Sequence, residues 1–142
     1  MAYYGTYDPT MGTLDNQKVI AAGGSWDAGS SQDCQDATSG YLPLYVAATF
    51  TIQNNEGSPT EGIDLEVLVQ FSADDTDWPD DGQGHPIFAH VDSDVGISLG
   101  QSRTCVFEVP LRYFRFLYRN NNSSDGLKVT SKIGRAYLES TE

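Results

Sequence analysis

Basic residues are nearly absent from the first 102 positions of this 142-residue chain, which contain sixteen acidic residues and Lys18 as the only Lys or Arg. The formal net charge is −12. A field of that sign opposes contact with nucleic acid, because proteins bind nucleic acid mainly by neutralising phosphates. The other seven cationic residues all lie between Arg103 and Arg135. The composition therefore argues against a nucleic-acid-binding protein.

Long apolar runs are also missing. No segment approaches the roughly 20 apolar residues of a membrane-spanning helix. Residues 1–13 have neither the basic start nor the apolar stretch of an export signal. We therefore expect a protein that is made in the cytoplasm and does not associate with a membrane.

Cysteine and histidine are scarce, which limits metal and redox chemistry. Cys34 and Cys105 are the only cysteines, so we expect two free thiols, although a single bridge between neighbouring strands stays open. The two histidines, His85 and His90, lie on either side of Pro86 and lack the further ligands of a zinc site. GxSxG, HExxH and P-loop motifs are absent. We expect no catalytic residues, and hence no enzyme.

A cluster of aspartates between Asp74 and Asp81 suggests calcium, which prefers carboxylate oxygens. EF-hand spacing fails, however. With Asp77 as the first ligand, Pro79 takes the third position and Phe88 the twelfth. A solvated acidic loop is the favoured interpretation, with no metal or other cofactor, and calcium binding stays open.

Alternating apolar residues predict β-strands, most clearly at residues 44–53 and 63–72, which we expect to pair as a hairpin. Further strands are predicted at residues 103–109, 112–119 and 127–138, with Asp125-Gly126 as a hairpin turn between the last two. No window has the apolar period of a helix. The predicted fold is all-β, a single β-sandwich of jelly-roll or immunoglobulin-like topology.

Residues 1–16 differ from the rest of the chain, because they have no apolar period and are rich in Gly, Thr and Asp. We interpret them as an extended N-terminal arm and residues 17–142 as the β-sandwich domain. Tyr3, Tyr4 and Tyr7 are the candidate anchors of the arm on a partner, since Tyr offers a large contact area at low rotamer cost.

The predicted strand at residues 112–119 carries the second candidate interface. Arg115 and Arg119 share a face with Tyr113 and Leu117, because side chains alternate along a strand. Two interpretations stay open. The arginines either pair with the chain's own carboxylates, such as Glu66 or Glu108, or they form a docking patch for an acidic neighbour.

Aromatic residues outside the strongest strand patterns suggest a function of another class. A carbohydrate-binding β-sandwich stacks sugars on such rings, and five are candidates here: Trp26, Trp78, Tyr3, Tyr41 and Tyr113. The alternative for Trp78, which lies in a polar loop, is a ring that folds back as a lid over the core.

Two stretches resemble bacteriophage virion proteins of the small β-sandwich, capsid decoration (cement) type. The first is VLVQFSADDTDWPDD at residues 67–81, with Ser72, Asp74 and Trp78 in an S-x-D-x-x-x-[WY] pattern. The second is FEVPLRYFRFLYRNNNSSDG at residues 107–126, similar to an aromatic strand followed by an Asn-rich turn.

The resemblance spans residues 42–138 and implies a place in the virion. It implies a decoration protein on the capsid surface that binds the major capsid protein or another virion protein, stabilises the shell and forms a homo-oligomer, a dimer or trimer. A tail, neck or fibre component is the alternative within the virion.

Overall fold

The computed structural model contains eight strands in the residues that it describes, and no helix long and apolar enough to cross a membrane occurs there. The described residues are 3–35, 40, 42–43, 45–95 and 101–140, with the backbone alone described for 3–11 and 136–140. The strands are β1 (Tyr3–Ile20), β2 (Trp26–Asp33), β3 (Tyr45–Asn54), β4 (Ile63–Ser72), β5 (His85–Asp92), β6 (Gln101–Glu108), β7 (Tyr113–Asn120) and β8 (Leu127–Ser140).

The strands form two four-stranded antiparallel sheets. We name them the β1 sheet, in the order β1-β8-β3-β6, and the β2 sheet, in the order β2-β7-β4-β5. β1 pairs with β8, β2 with β7, β3 with β6 and β4 with β5, which is the nested pairing of a jelly roll. The predicted all-β sandwich is confirmed, and of the two topologies left open by the sequence it has the jelly-roll one.

Alternation along β3 and β4 gives each strand one buried face, as predicted, because successive side chains point to opposite sides of a sheet. The residues on these faces are at most 2% exposed. They are Val46, Ala48, Phe50 and Ile52 on β3, and Ile63, Leu65, Val67 and Val69 on β4.

The predicted hairpin between residues 44–53 and 63–72 is wrong. β3 belongs to the β1 sheet and β4 to the β2 sheet, so residues 55–62 cross between the layers. β7 and β8, on either side of Asp125-Gly126, also lie in different sheets. Alternation determines which face of a strand is buried, but it does not identify the partner strand.

Aromatic rings fill the space between the sheets. Phe50 of the β1 sheet lies edge-on to Phe116 and Phe88 of the β2 sheet, with ring centroids 4.8 and 4.9 Å apart. Tyr118 packs beside them and is fully buried. Such edge-on pairs stabilise a core beyond the burial of their area, so these rings hold the two layers in register.

Both cysteines are free thiols. Cys34 is fully buried and its thiol donates to the Arg112 carbonyl at 2.8 Å. Burial raises the pKa of Cys34 to about 12 and that of Cys105 to about 11. Since the thiolate is the reactive form, both thiols are weakly reactive at neutral pH.

β1 runs along β8 with three shifts of register. Asp15, which the predicted arm includes, is only 3% exposed, and its carboxylate accepts hydrogen bonds from the Ser30 N–H and the Tyr118 hydroxyl. The packed part of the chain therefore begins before residue 17. The division into an arm and a domain otherwise stays a prediction.

Candidate functional site

The outer face of the β2 sheet carries the site residues predicted on β7. Arg119 lies opposite Glu66 of β4, Leu117 opposite Leu68, and Arg115 opposite Gln70. Directly opposed side chains on one face are close enough to interact. The register of β4 and β7 therefore determines which partner each predicted site residue meets.

Three arginines each lie over an aromatic ring, and we call Arg112, Arg115 and Arg119 the arginine row. The guanidinium carbons of Arg115 and Arg119 are 4.5 Å from the ring centroids of Trp78 and Trp26. Arg112 is 5.2 Å from the ring of Tyr113. These are cation–π distances, so three aromatic side chains have an arginine on one face.

Two arginines of the row also pair with carboxylates. Arg119 Nη2 donates to both oxygens of Glu66, at 2.8 and 2.7 Å, while its buried Nε has no hydrogen-bond partner. Arg112 makes a two-point contact with Asp33, at 3.0 and 2.7 Å. Each arginine lowers the pKa of its carboxyl partner. Of the two interpretations left open for these arginines, the geometry of Arg119 with Glu66 agrees with an ion pair within the chain.

Arg115 and Gln70 hold the acidic loop, residues 73–84, against the sheet. Arg115 Nε donates to Gln70 Oε1 at 2.9 Å, and the Gln70 amide nitrogen lies within 3.1 Å of three loop carbonyls. Those carbonyls belong to Pro79, Asp80 and Gln83. Gln70 is only 1% exposed, so its polar atoms are satisfied by the loop and by Arg115 rather than by water.

The acidic loop starts with a turn in which the Asp74 side chain is hydrogen-bonded to the backbone of the residues that follow it. The Asp74 carboxylate accepts from the N–H groups of Thr76 and Asp77 at 3.0 and 2.9 Å, and the Asp77 contact is the first cause that lowers the pKa of Asp74 to about 2. No group of three or more possible metal ligands is gathered in the described residues.

The loop covers two leucines on the outer face of the sheet. Leu117 is fully buried and Leu68 is 7% exposed, yet neither belongs to the core between the sheets. The loop backbone lies close above Leu68, since a Cβ on Gly84 would come within 3.4 Å of the Leu68 Cβ. At Gly82, whose φ is +81°, a Cβ would meet the Trp26 ring at 3.0 Å.

The structure therefore separates the predicted site residues. Leu117 lies beneath the loop and is not part of an exposed patch, while Arg115 and Arg119 are half-buried and engaged with residues of the same chain. Tyr113 is half-buried under Arg112. The side chains of Tyr3, Tyr4 and Tyr7 lie outside the described residues, so the structure does not place the predicted anchors.

Three of the five candidate sugar-stacking rings have side chains in the described residues. Trp26, Trp78 and Tyr113 each have an arginine on one face. Tyr41 and the side chain of Tyr3 lie outside the described residues. Trp78 does fold back, as its alternative interpretation holds, but onto Arg115 on the outer face rather than over the core.

The sandwich is open along one side, where the edge strands β5 and β6 lie, and we call this side the open edge. A cleft of about 760 Å³ lies between them. Its lining is mostly apolar and includes Phe71, Pro86, Ile87, Val106, Phe107 and Val109. Farther along the same edge, His90 of β5 and Gln101 of β6 are hydrogen-bonded across the two sheets.

Exposed apolar side chains occur on both strands of the open edge. Val91 of β5 is 69% exposed and Val106 of β6 is 60% exposed, which are the highest values among the large apolar residues that the structure describes. Sequence reasoning missed this surface, although Val106 stands at a position that alternation assigns to the polar face, beside Thr104 and Glu108. It also missed Gln70, whose partners are loop carbonyls that no local pattern predicts.

No protein-family model matches the chain, and no curated protein matches it. Among solved structures, it is similar to a family 16 carbohydrate-binding module-2, with a TM-score of 0.38 and 12% identity over 86% of this chain and 74% of that one.

Two further structures are similar over nearly the whole chain. One is the CBM22-1–GH10 part of Clostridium thermocellum xylanase 10B in complex with xylohexaose. The TM-score is 0.49 and the sequence identity is 11%, and the match covers 100% of this chain and 30% of that chain. The other is a structure of infectious bursal disease virus Gt strain. The TM-score is 0.43 and the sequence identity is 12%, and the match covers 96% of this chain and 31% of that chain. These likenesses concern the β-sandwich and carry no functional argument.

Proposed function

We propose that this chain is a non-enzymatic structural protein of a bacteriophage virion, namely a capsid decoration or cement protein. In this role it binds the major capsid protein on the capsid surface and stabilises the shell, after synthesis in the cytoplasm of the host bacterium. A tail, neck or fibre position is the other place in the virion that the sequence resemblance implies.

The observation that carries the proposal is the apolar surface at the open edge. Val106 lines a mostly apolar cleft, and Val91 is exposed farther along β5, in a chain whose net charge is −12. An apolar patch with a polar surround is the usual form of a protein-binding surface. The open edge therefore supports a role in binding protein.

The way the loops are fastened supports a structural role. Gln70 holds the acidic loop through three carbonyls, and Arg115 lies between Gln70 and Trp78. A shell component has to keep one shape while it repeats the same contact at every symmetry-related position. A body whose long loop is bonded to its own sheet suits that requirement.

The two stretches that resemble virion proteins contact each other. Trp78 belongs to the first stretch and Arg115 to the second, and their cation–π contact joins the acidic loop to β7. In this fold, Trp78 of the first pattern therefore has a structural role, because its contact with Arg115 holds the acidic loop against β7. The geometry thus supports a small, rigid domain, and the sequence resemblance supports its place in a virion.

Mass spectrometry of purified phage particles tests the proposal. A decoration protein is expected in many copies, in a fixed ratio to the major capsid protein set by the shell symmetry. A few copies per particle would instead place the chain in the tail or neck. Absence of the chain from purified particles would end the virion proposal, and a scaffold protein known to leave the particle serves as the control.

A further inference from the structure

β6 is the least protected of the four edge strands, and its edge is free of any strand of the same chain in the described residues. Natural edge strands are usually shielded by charges, proline or irregular pairing, since an open edge can pair with another chain. β1 contains Pro9 and three register shifts, β2 has one register shift, and β5 contains Pro86 and one shift. β6 has no proline and pairs with β3 without a shift.

The charges of β6 cancel, which distinguishes it from the other three edges. Arg103 and Glu108 are its charged residues, whereas β2 contains two aspartates and no base, and β5 contains Asp92 and no Lys or Arg. β1 contains two aspartates and Lys18. Two copies of a chain with net charge −12 repel each other least where the local charge is zero.

We propose that β6 pairs antiparallel with β6 of a second copy around a two-fold axis, and so joins two β1 sheets into one eight-stranded sheet. The inference names the self-association surface of the proposed virion protein, and for its biological setting it rests on that proposed function. A two-fold axis perpendicular to the sheet always pairs an edge strand antiparallel with itself, which makes the contact closed and self-complementary.

Such an axis also restricts the register, because paired residues must point to the same side of the joined sheet. With Cys105 opposite Cys105 of the second copy, Thr104 lies opposite Val106 of that copy on the outer side. Val106 is 60% exposed, and a Thr–Val pair is a favourable cross-strand contact. This register covers Val106 twice, once on each side of the axis.

Paired charge changes on the outer side test this register. Thr104→Glu with Val106→Glu places carboxylates opposite each other across the axis, so we expect dimerisation to weaken about tenfold or more. Thr104→Lys with Val106→Glu places opposite charges there and is expected to retain the dimer. Both variants lose the hydrogen bond of 3.0 Å between Thr104 and Thr49, so this matched pair differs only in the charge at residue 104.

Sedimentation equilibrium of the purified full chain, without particles, measures the association. Val19→Glu on β1, where Val19 is 50% exposed, is the control for added charge away from β6 and should leave the dimer intact. A chain that stays monomeric at high concentration overturns the proposal, as does equal dimerisation by the two matched variants. Because no particle is present, these results do not depend on where the protein functions.

The native thiols supply a second readout. Cys105 lies at the proposed axis and is partly exposed, whereas Cys34 is fully buried. Because burial raises the pKa of Cys105, its thiol reacts slowly, so a long incubation with a short bismaleimide is expected to cross-link Cys105 to its own copy, and Cys105→Ser should abolish the product. Cross-linking that disappears when residues 2–10 are deleted would instead identify the N-terminal segment of the second copy as the occupant of the edge, and would reject the β6–β6 contact.

Discussion

The side chains of Glu61 and Asp125 each accept a hydrogen bond from the backbone N–H of the other residue, and this reciprocal cap joins two loops. The Asp125 N–H donates to Glu61 Oε1 at 3.0 Å, and the Glu61 N–H donates to Asp125 Oδ2 at 2.8 Å. Glu61 also accepts from the N–H groups of Ser123 and Ser124, at 2.8 and 2.6 Å. The β3–β4 and β7–β8 loops, which both cross between the sheets, are thus joined at one end of the sandwich.

This reciprocal cap predicts an acid-sensitive stability. Hydrogen bonds from Ser124 and its neighbours lower the pKa of Glu61 from 4.5 to about 2, and backbone donation from Glu61 is the first cause of the lowered pKa of Asp125. A lowered folded-state pKa gives stability that is fully present above the ordinary pKa and is lost as the pH falls toward the folded one. We therefore expect the melting temperature to fall between about pH 4.5 and 2.

Glu61→Gln tests the cap, because the amide keeps the shape of the side chain but does not titrate. The variant should be less stable than the parent at neutral pH and should lose less melting temperature on acidification. Asp81→Asn, in the exposed part of the acidic loop, is the control. Parallel acid curves for the parent and the Glu61 variant would contradict the prediction.

Gln70→Met should release the acidic loop. The change keeps a side chain of similar length and removes the donor to three loop carbonyls and the acceptor for Arg115. Loss of such buried hydrogen bonds is expected to cost about 1–3 kcal/mol of unfolding free energy. Urea unfolding measures that loss, and proteolysis within residues 73–84 should become faster. Gln53→Met on β3 is the control. Unchanged proteolysis of the loop would contradict the conclusion that Gln70 holds the acidic loop against the sheet.

The faces of the strands could be predicted from the sequence, whereas the strand partners could not. The alternation in IDLEVLVQFS correctly buries Ile63, Leu65, Val67 and Val69. The same pattern carried no sign that β4 pairs with β5 and β7 rather than with β3. Partner choice depends on contacts distant in sequence, and a jelly roll pairs the first strand with the last.

One feature of the sequence indicates that the outer face of the β2 sheet is covered by the acidic loop. Leu68 and Leu117 occupy positions that alternation assigns to the polar face, and two apolar residues there indicate a cover. Trp78 in the polar loop is a candidate for that cover. The partners of Gln70 could not be predicted, because main-chain carbonyls of an irregular loop have no sequence signature.

Deletion of residues 2–10 tests the arm. If those residues anchor the protein on a partner, the melting temperature should change little while binding to particles weakens. A full-length variant with Tyr3, Tyr4 and Tyr7 changed to Ser separates the contribution of the rings from that of chain length. Unfolding of the truncated protein at room temperature would show that the segment belongs to the sandwich, where its backbone pairs with β8.

Charge reversal at Arg119 distinguishes an internal ion pair from a docking patch. Arg119→Glu places a carboxylate beside Glu66 and removes the contact with Trp26, so we expect a loss of about 1–2 kcal/mol in unfolding free energy. Lys132→Glu on β8 changes the net charge equally at an exposed position and is the control. Unchanged stability combined with lost particle binding or self-association would favour docking instead.

Tyr118→Phe tests the buried contact that ties β1 to the core. The Tyr118 hydroxyl donates to Asp15 at 2.6 Å, and both residues are at most 3% exposed. Its removal should cost about 1–2 kcal/mol, since the Asp15 carboxylate keeps its donors Ser30 and Ser131 but loses its shortest hydrogen bond. Burial, and next the Asp15 charge, raise the pKa of Tyr118 well above its ordinary value of 10.

A raised folded-state pKa gives stability that is fully present below the ordinary value and is lost as the pH rises above it. The parent should therefore lose stability above about pH 10 more steeply than Tyr118→Phe, and the two alkaline curves should converge. Urea unfolding between neutral pH and pH 11 measures both effects, with Tyr113→Phe, on the opposite face of β7, as the control. Equal stability of the parent and the Tyr118 variant at neutral pH would mean that the hydroxyl contributes nothing to holding β1.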